Sequence, residues 1–177
     1  MSTPTKQQAG IPIRDAAVAV LEQLYRTLDQ IDQSQYTTPG PSGATIGAHV
    51  RHTLDHFRKL VEGYTDSSVV AYDHRDRGGT VETDRAAAIS EARSLANTIN
   101  QLDETQINFP VRICAMVCGD GTESEIDSTL IRELWFATHH AIHHNALLKP
   151  IASACGLDLP AEFGRAPSTL KHEQANA

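Results

Sequence analysis

At 177 residues, 40% of them apolar and 21% charged, the chain has the size and composition of one globular domain that buries a core of its own. A formal net charge of −7 without any block of Lys and Arg argues against a nucleic-acid partner, and no apolar run approaches bilayer-spanning length, which argues against a membrane protein. Met1 to Gly10 is polar, unlike a signal peptide, and Cys114, Cys118 and Cys155 then read as reduced thiols of a cytoplasmic protein.

In chain order, a first helix is expected from about Ile13 to Ile31, where Ile13, Ala17, Val20, Leu24, Leu28 and Ile31 recur at three- and four-residue steps. Pro39, Gly40, Pro41 and Gly43 make Ser34 to Gly43 a loop. A second helix follows from about Thr45 to Glu62, and the polar stretch Tyr64 to Thr80 reads as another loop. The third helix starts near Thr83 as N-cap, with Asp84 favourable in its first turn, and turns Ala88, Ala92, Leu95, Ile99 and Leu102 inward. From Ile107 to Thr122 the period becomes two. Phe109, Val111, Ile113, Ala115 and Val117 alternate, Gly119-Asp120-Gly121 turns the chain, and Glu123 to Asp127 returns as the second arm of a β-hairpin. The last helix begins after Ser128 and ends at Gly156. The expected fold is therefore all-α: an up-and-down four-helix bundle with a short β-hairpin inserted before the last helix. It is a single domain over 1–177, with a polar N-terminal segment at 1–12 and an irregular C-terminal tail at 160–177.

Nine histidines are the compositional outlier, and most lie in two short stretches. In His139-His140-Ala141-Ile142-His143-His144, a rotation of about 100° per residue puts His140 and His144 in the middle of the face that Phe136, Ala137, Leu147, Leu148 and Ile151 define. His143 lies at the edge of that face and His139 further toward solvent. Imidazoles at i and i+4 stand one turn apart on the same side, the spacing a shared metal ion needs. Such an ion also satisfies ring nitrogens that an apolar stripe would leave unpaired. The second helix offers His49, His52 and His56 beside an apolar face of Ile46, Val50, Thr53, Phe57, Leu60 and Val61. Rotation brings His49 nearest that face, His56 next, and leaves His52 closer to the charged side. No Glu-x-x-His occurs, and the first and third helices carry no histidine, so one ion is expected rather than a two-iron centre.

These residues resemble the DinB-like (YfiT-like) metal-binding helical bundles. Thr45-Ile46-Gly47 followed by His52 and Asp55 is similar to the start of that family's second helix, and His140-Ala141-Ile142-His143-His144 matches its His-x-x-His-His. Tyr72-Asp73-His74-Arg75, Glu82-Thr83-Asp84 and Phe163 to Leu170 look like one branch of it. The family's metal triad, carried over, is His52 with His140 and His144. We take these as the ligands, with His49 as the rival that rotation favours, or as a proton-transferring catalytic group. The chain departs from the pattern where His144 is followed by Asn145-Ala146-Leu147 instead of x-Gly-Gln. The resemblance implies one divalent metal ion, zinc or nickel, and a thiol-dependent transferase. The alternatives are a metal-dependent hydrolase using metal-bound hydroxide and a metal-binding or stress-response module without turnover. Three imidazoles leave a coordination position open, as catalytic zinc sites do.

Around this centre, Arg75 and Arg77 are expected to hold an anionic small-molecule substrate. Glu133 faces inward, where it can pair with an arginine, cap a neighbour or serve as a catalytic acid. Cys114 and Cys118 read as small buried residues on one strand face, and His74 and His172 as incidental. Trp135, with Ile131, Ile142 and Lys149, makes a second face on the last helix for the hairpin or for a homodimer partner.

Overall fold

The apolar stripes build four long helices. In a computed structural model, which describes residues 10–66, 69–74 and 79–175, these are α1 (Gly10–Asp29), α3 (Ile46–Asp66), α4 (Arg85–Asn100) and α6 (Leu130–Ala154). Between them lie α2 (Gln33–Thr37), β1 (Val69–Ala71), a 3-10 turn (Thr80–Glu82), α5 (Glu104–Ile107), β2 (Pro110–Met116) and β3 (Glu123–Thr129), and α7 (Pro167–Gln174) follows. Both α1 and α3 pack against α4 and α6, so the long helices close around one core. Leu21, Leu24 and Leu28 of α1, Leu54, Phe57 and Leu60 of α3, Ile99 of α4 and Leu134 of α6 fill it.

The expectation of an all-α four-helix bundle is overturned. Among the described residues there are seven α-helices and a three-stranded mixed sheet of order β1-β2-β3. The hairpin forms, with β2 and β3 antiparallel and Ile113 opposite Ile126. What turns the hairpin into a sheet is β1, inside the segment read as a loop: Val69, Val70 and Ala71 run parallel to β2 opposite Arg112, Ile113 and Cys114. Three residues are too few to show a period, and only Val70, packed against Gly63 of α3 at the edge of the sheet, is fully enclosed.

Other boundaries move for local reasons. The first loop contains α2, set by a capping box in which Asp32 accepts from the Gln35 amide and the Gln35 side chain accepts from the Asp32 amide. Asp84, not Thr83, caps α4, accepting from the amides of Ala86 and Ala87. Thr129 caps α6, and Gly156, at φ 76°, follows its end. The C-terminal tail is not irregular. Phe163 is fully buried and α7 follows, with Pro167 in its first turn. On α6 the buried face is rotated from the expected one, since Leu147 is exposed while Thr138 and Asn145 are enclosed; Glu133 faces inward as expected. Cys118 is exposed beyond the end of β2, and Cys114 is only half-buried, so neither is the small core residue expected. No helix among the described residues is long and apolar enough to cross a membrane.

The first turn of α3 is held by backbone contact. Thr45 Oγ1 accepts from the Ala48 amide at 3.0 Å, and the buried Tyr36 hydroxyl donates to the Val81 carbonyl at 2.7 Å. A Cβ on Gly47 would stand 2.0 Å from the Glu82 carbonyl oxygen. An alanine in a helix normally gains about 1 kcal/mol over glycine, but here overpacking against backbone costs about 3 kcal/mol. Gly47→Ala should therefore lower the urea midpoint at unchanged m-value. A raised midpoint would show that the turn and α3 are not locked together.

Candidate metal centre

The histidines meet where α3 crosses α6. His52 Nε2 lies 2.9 Å from His140 Nε2, and the ligating atoms of His52, His140 and His144 all fall within 4.8 Å of one another. Ring centroids are 4.5 Å apart for His52 and His144, and 4.5 Å for His140 and His144. His49 contacts His144 through the two Nδ1 atoms at 3.2 Å, while His56 lies beside His140 and Phe136. Rising numbers on α3 thus meet falling numbers on α6, and the two helices run antiparallel.

The donor set fits a divalent ion. Imidazole nitrogens about 2 Å from a tetrahedral zinc stand roughly 3.3 Å apart, a spacing that rotamer adjustments reach from the distances above. Burial, with the charges of His49, His143 and His56, lowers the pKa of His144 to about 4, and burial also lowers that of His49. Both rings therefore offer neutral lone pairs at pH 7, the form that binds a metal. His139 and His143 are exposed. His49, which rotation alone favours, joins the edge of the cluster through His144 rather than the central set of three.

Two residues around the triad take places there that the linear pattern does not assign them. His56, 8% exposed, donates from Nδ1 to the His52 carbonyl at 2.9 Å, which fixes its tautomer and ring plane. Tyr72 stacks on His56 with centroids 5.2 Å apart, and its hydroxyl donates to Glu133 Oε2 at 2.9 Å. Tyr72 follows β1 directly, so its place at the site depends on a strand the sequence does not announce. Burial, then the charge of Glu133 and its hydrogen bond, holds the Tyr72 hydroxyl protonated well above the ordinary tyrosine range. Glu133 is fully buried and also accepts from the Ser128 hydroxyl and Arg132 Nη1, each at 2.6 Å.

Asp55, the acid of the family-like pattern, is not a ligand. Its buried carboxylate accepts from Arg51 Nη1 at 2.9 Å and from Arg58, and Arg51 Nε reaches Glu82 at 2.7 Å. It ties α3 to the 3-10 turn. Arg75, the expected substrate-binding residue, lies outside the described residues, as does Arg77. Trp135 is 47% exposed and packs beside the His139 ring. It lines an apolar groove of about 350 Å³ with Ile13, Val20, Ile142 and Leu170. That groove lacks the convergent donors of the histidine cluster, which is the better candidate for chemistry.

No family model matches the chain. Over 118 residues, 66% of its length, it is 36% identical to FK506-binding protein 5 of Rhizopus delemar, and the match covers 31% of that protein. The chain thus spans about a third of the curated relative it matches.

The low pKa of His144 makes stability depend on pH. Between the ordinary value of 6.5 and about 4, an unfolded His144 holds a proton that the native ring does not. The unfolded state is therefore favoured as pH falls through that window. With chelator present to keep the protein metal-free, the urea midpoint should decline from pH 6.5 toward pH 4. The decline should be shallower for His144→Ala; equal slopes would exclude His144 as the responsible group.

Proposed function

We propose that this protein is a metal-dependent enzyme, a thiol-dependent transferase that holds one divalent ion, zinc or nickel, on His52, His140 and His144. The observation that carries the proposal is the convergence of three imidazole nitrogen donors from two antiparallel helices. Among the described residues no fourth donor completes that set, and three-ligand zinc sites with an open position are catalytic rather than structural. The resemblance of the two histidine motifs to the DinB-like metal-binding proteins supports the same reading. An ion bound there would supply Lewis acidity and lower the pKa of a coordinated thiol or water.

The chain's own residues have distinct parts in this proposal. His49, in contact with His144 through Nδ1, is the proton-transfer group at the edge of the cluster. Tyr72 and Phe136 flank His56 and wall the site against water. Glu133, neutralised by Arg132 and bonded to Tyr72 and Ser128, holds Tyr72 in place and is not an acid catalyst. Arg132 lies 5.6 Å over the Phe136 ring, a cation at the wall of the site. The proposed substrates are small molecules, with a low-molecular-weight thiol as cosubstrate, in a cytoplasmic homodimer that pairs through the Trp135 face. The FK506 binding in the Rhizopus relative's name carries no part of this proposal, because more than two thirds of that protein lies outside the match.

The three-histidine centre should hold about one divalent ion per chain, and His140→Ala or His144→Ala should lose the ion of that centre. His52→Ala should lose the ion while His49→Ala keeps it; the reverse result would make His49 the third ligand. With Co²⁺ in the site, a sulfur-to-cobalt charge-transfer band should grow beyond that of the protein alone as a small thiol saturates it. If no thiol changes the spectrum and ester or amide cleavage appears instead, the hydrolase reading replaces this one. If neither occurs, the protein is a metal-binding module without turnover.

A further inference from the structure

We propose a second metal site, for a thiophilic divalent cation such as zinc, on the sheet at His74, Cys114 and Glu123. The sequence offers no reason to connect these residues. His74 sits in a polar segment, Cys114 on β2, and Glu123 at the start of β3. The sheet connects them. Ala71 pairs with Cys114 across the parallel ladder, so the turn leaving β1 carries His74 over the end of β2. Met116 pairs with Glu123 across the antiparallel ladder, which sets the Glu123 carboxylate diagonally beside Cys114 on the same face. One imidazole nitrogen, one sulfur and one carboxylate oxygen then lie within 4.8 Å of one another.

The arrangement is held from outside the three side chains. The His74 amide donates to the Ala71 carbonyl at 3.3 Å, and the Asp73 carboxylate accepts from the Met116 amide at 2.9 Å, pinning the turn to β2. At the far end, the Val117 amide donates to the Thr122 carbonyl at 2.8 Å and closes the hairpin just before Glu123. Glu123 already gathers the other two donors: Oε1 lies 2.5 Å from His74 Nε2, and Oε2 accepts from Cys114 Sγ at 3.3 Å.

The chemistry of the set selects the cation. Imidazole, thiolate and carboxylate together suit zinc, whereas magnesium and calcium take oxygen ligands. Without a metal, the hydrogen bond to Glu123, aided by the charges of Glu123, Glu125 and Asp73, pushes the Cys114 thiol up in pKa. That acidic surround favours a cation, and as the metal–sulfur bond forms the thiol proton leaves to solvent. Three protein ligands leave one position for water. His74 and Glu123 are both solvent-accessible, so the ion enters without any opening of the fold.

The test is Co²⁺ titration of the whole chain without added thiol. A sulfur-to-cobalt band should appear, saturate at one sulfur-ligated ion per chain, and persist in His140→Ala, which separates it from the three-histidine centre. It should vanish in Cys114→Ser and remain in Cys118→Ser and Cys155→Ser. His74→Ala and Glu123→Gln should each weaken it at least about tenfold, with far-UV circular dichroism unchanged. Absence of the band, its dependence on Cys118 or Cys155, its loss in His140→Ala, or smaller effects of both His74→Ala and Glu123→Gln would overturn the proposal.

Discussion

Where α3 and α6 run antiparallel, their seam sets the height and rotation at which His49 and His52 meet His140 and His144. Ligands one turn apart on a single helix define only a line; a third donor must come from another helix at a matching height. Here Ala137 and Ala141, both buried, flank His140 on α6. Small side chains let the facing helix approach closely. Val50, Leu54 and Phe57, buried without residual exposure, fix the rotation of α3. A slip of one residue in either helix would turn its side chains by about 100° and disperse the cluster.

Holding polar rings in that seam requires a polar frame, and the frame is built from compensated charges. Asp55 at one level and Glu133 at another are almost wholly enclosed, and each is met by arginine. A buried carboxylate left alone would cost several kcal/mol of desolvation, so these pairs are conditions of the fold more than sources of net stability. Their value is positional. Asp55 links α3 through Arg51 to Glu82, and Glu133 links α6 through Tyr72 to the end of β1. Both elements that border the histidines are thereby tied to the helices that carry them.

The back of α6 shows the same coupling. Gly164, at φ 68°, presses against the α6 backbone so closely that a Cβ would stand 2.3 Å from the Ala146 nitrogen. Phe163 beside it is fully enclosed. The segment following α6 therefore seals the helix directly behind His144. The neighbouring Asn145 is 1% exposed, and neither its amide oxygen nor its nitrogen has a hydrogen-bond partner. The position at which the chain departs from x-Gly-Gln is thus part of the packing behind a histidine of the cluster.

The amino-acid sequence by itself determined the four long helices, the hairpin and the pairing of His140 with His144. Each follows from a period, 3.6 or 2, repeated over enough residues to rise above chance. It also marked the histidine-rich stretch of α3, but not the geometry within it. Rotation about an isolated helix axis chose His49, because the wheel knows the apolar face and not the tilt or height of the partner. Only the packing of α3 against α6 set His52 between His140 and His144. Tertiary structure alone decided β1, whose three residues have no period to read. With β1 came Tyr72 over His56, the mixed sheet in place of an all-α fold, and the meeting of His74, Cys114 and Glu123. Those three residues share no local pattern, because strand register rather than sequence spacing brings them together.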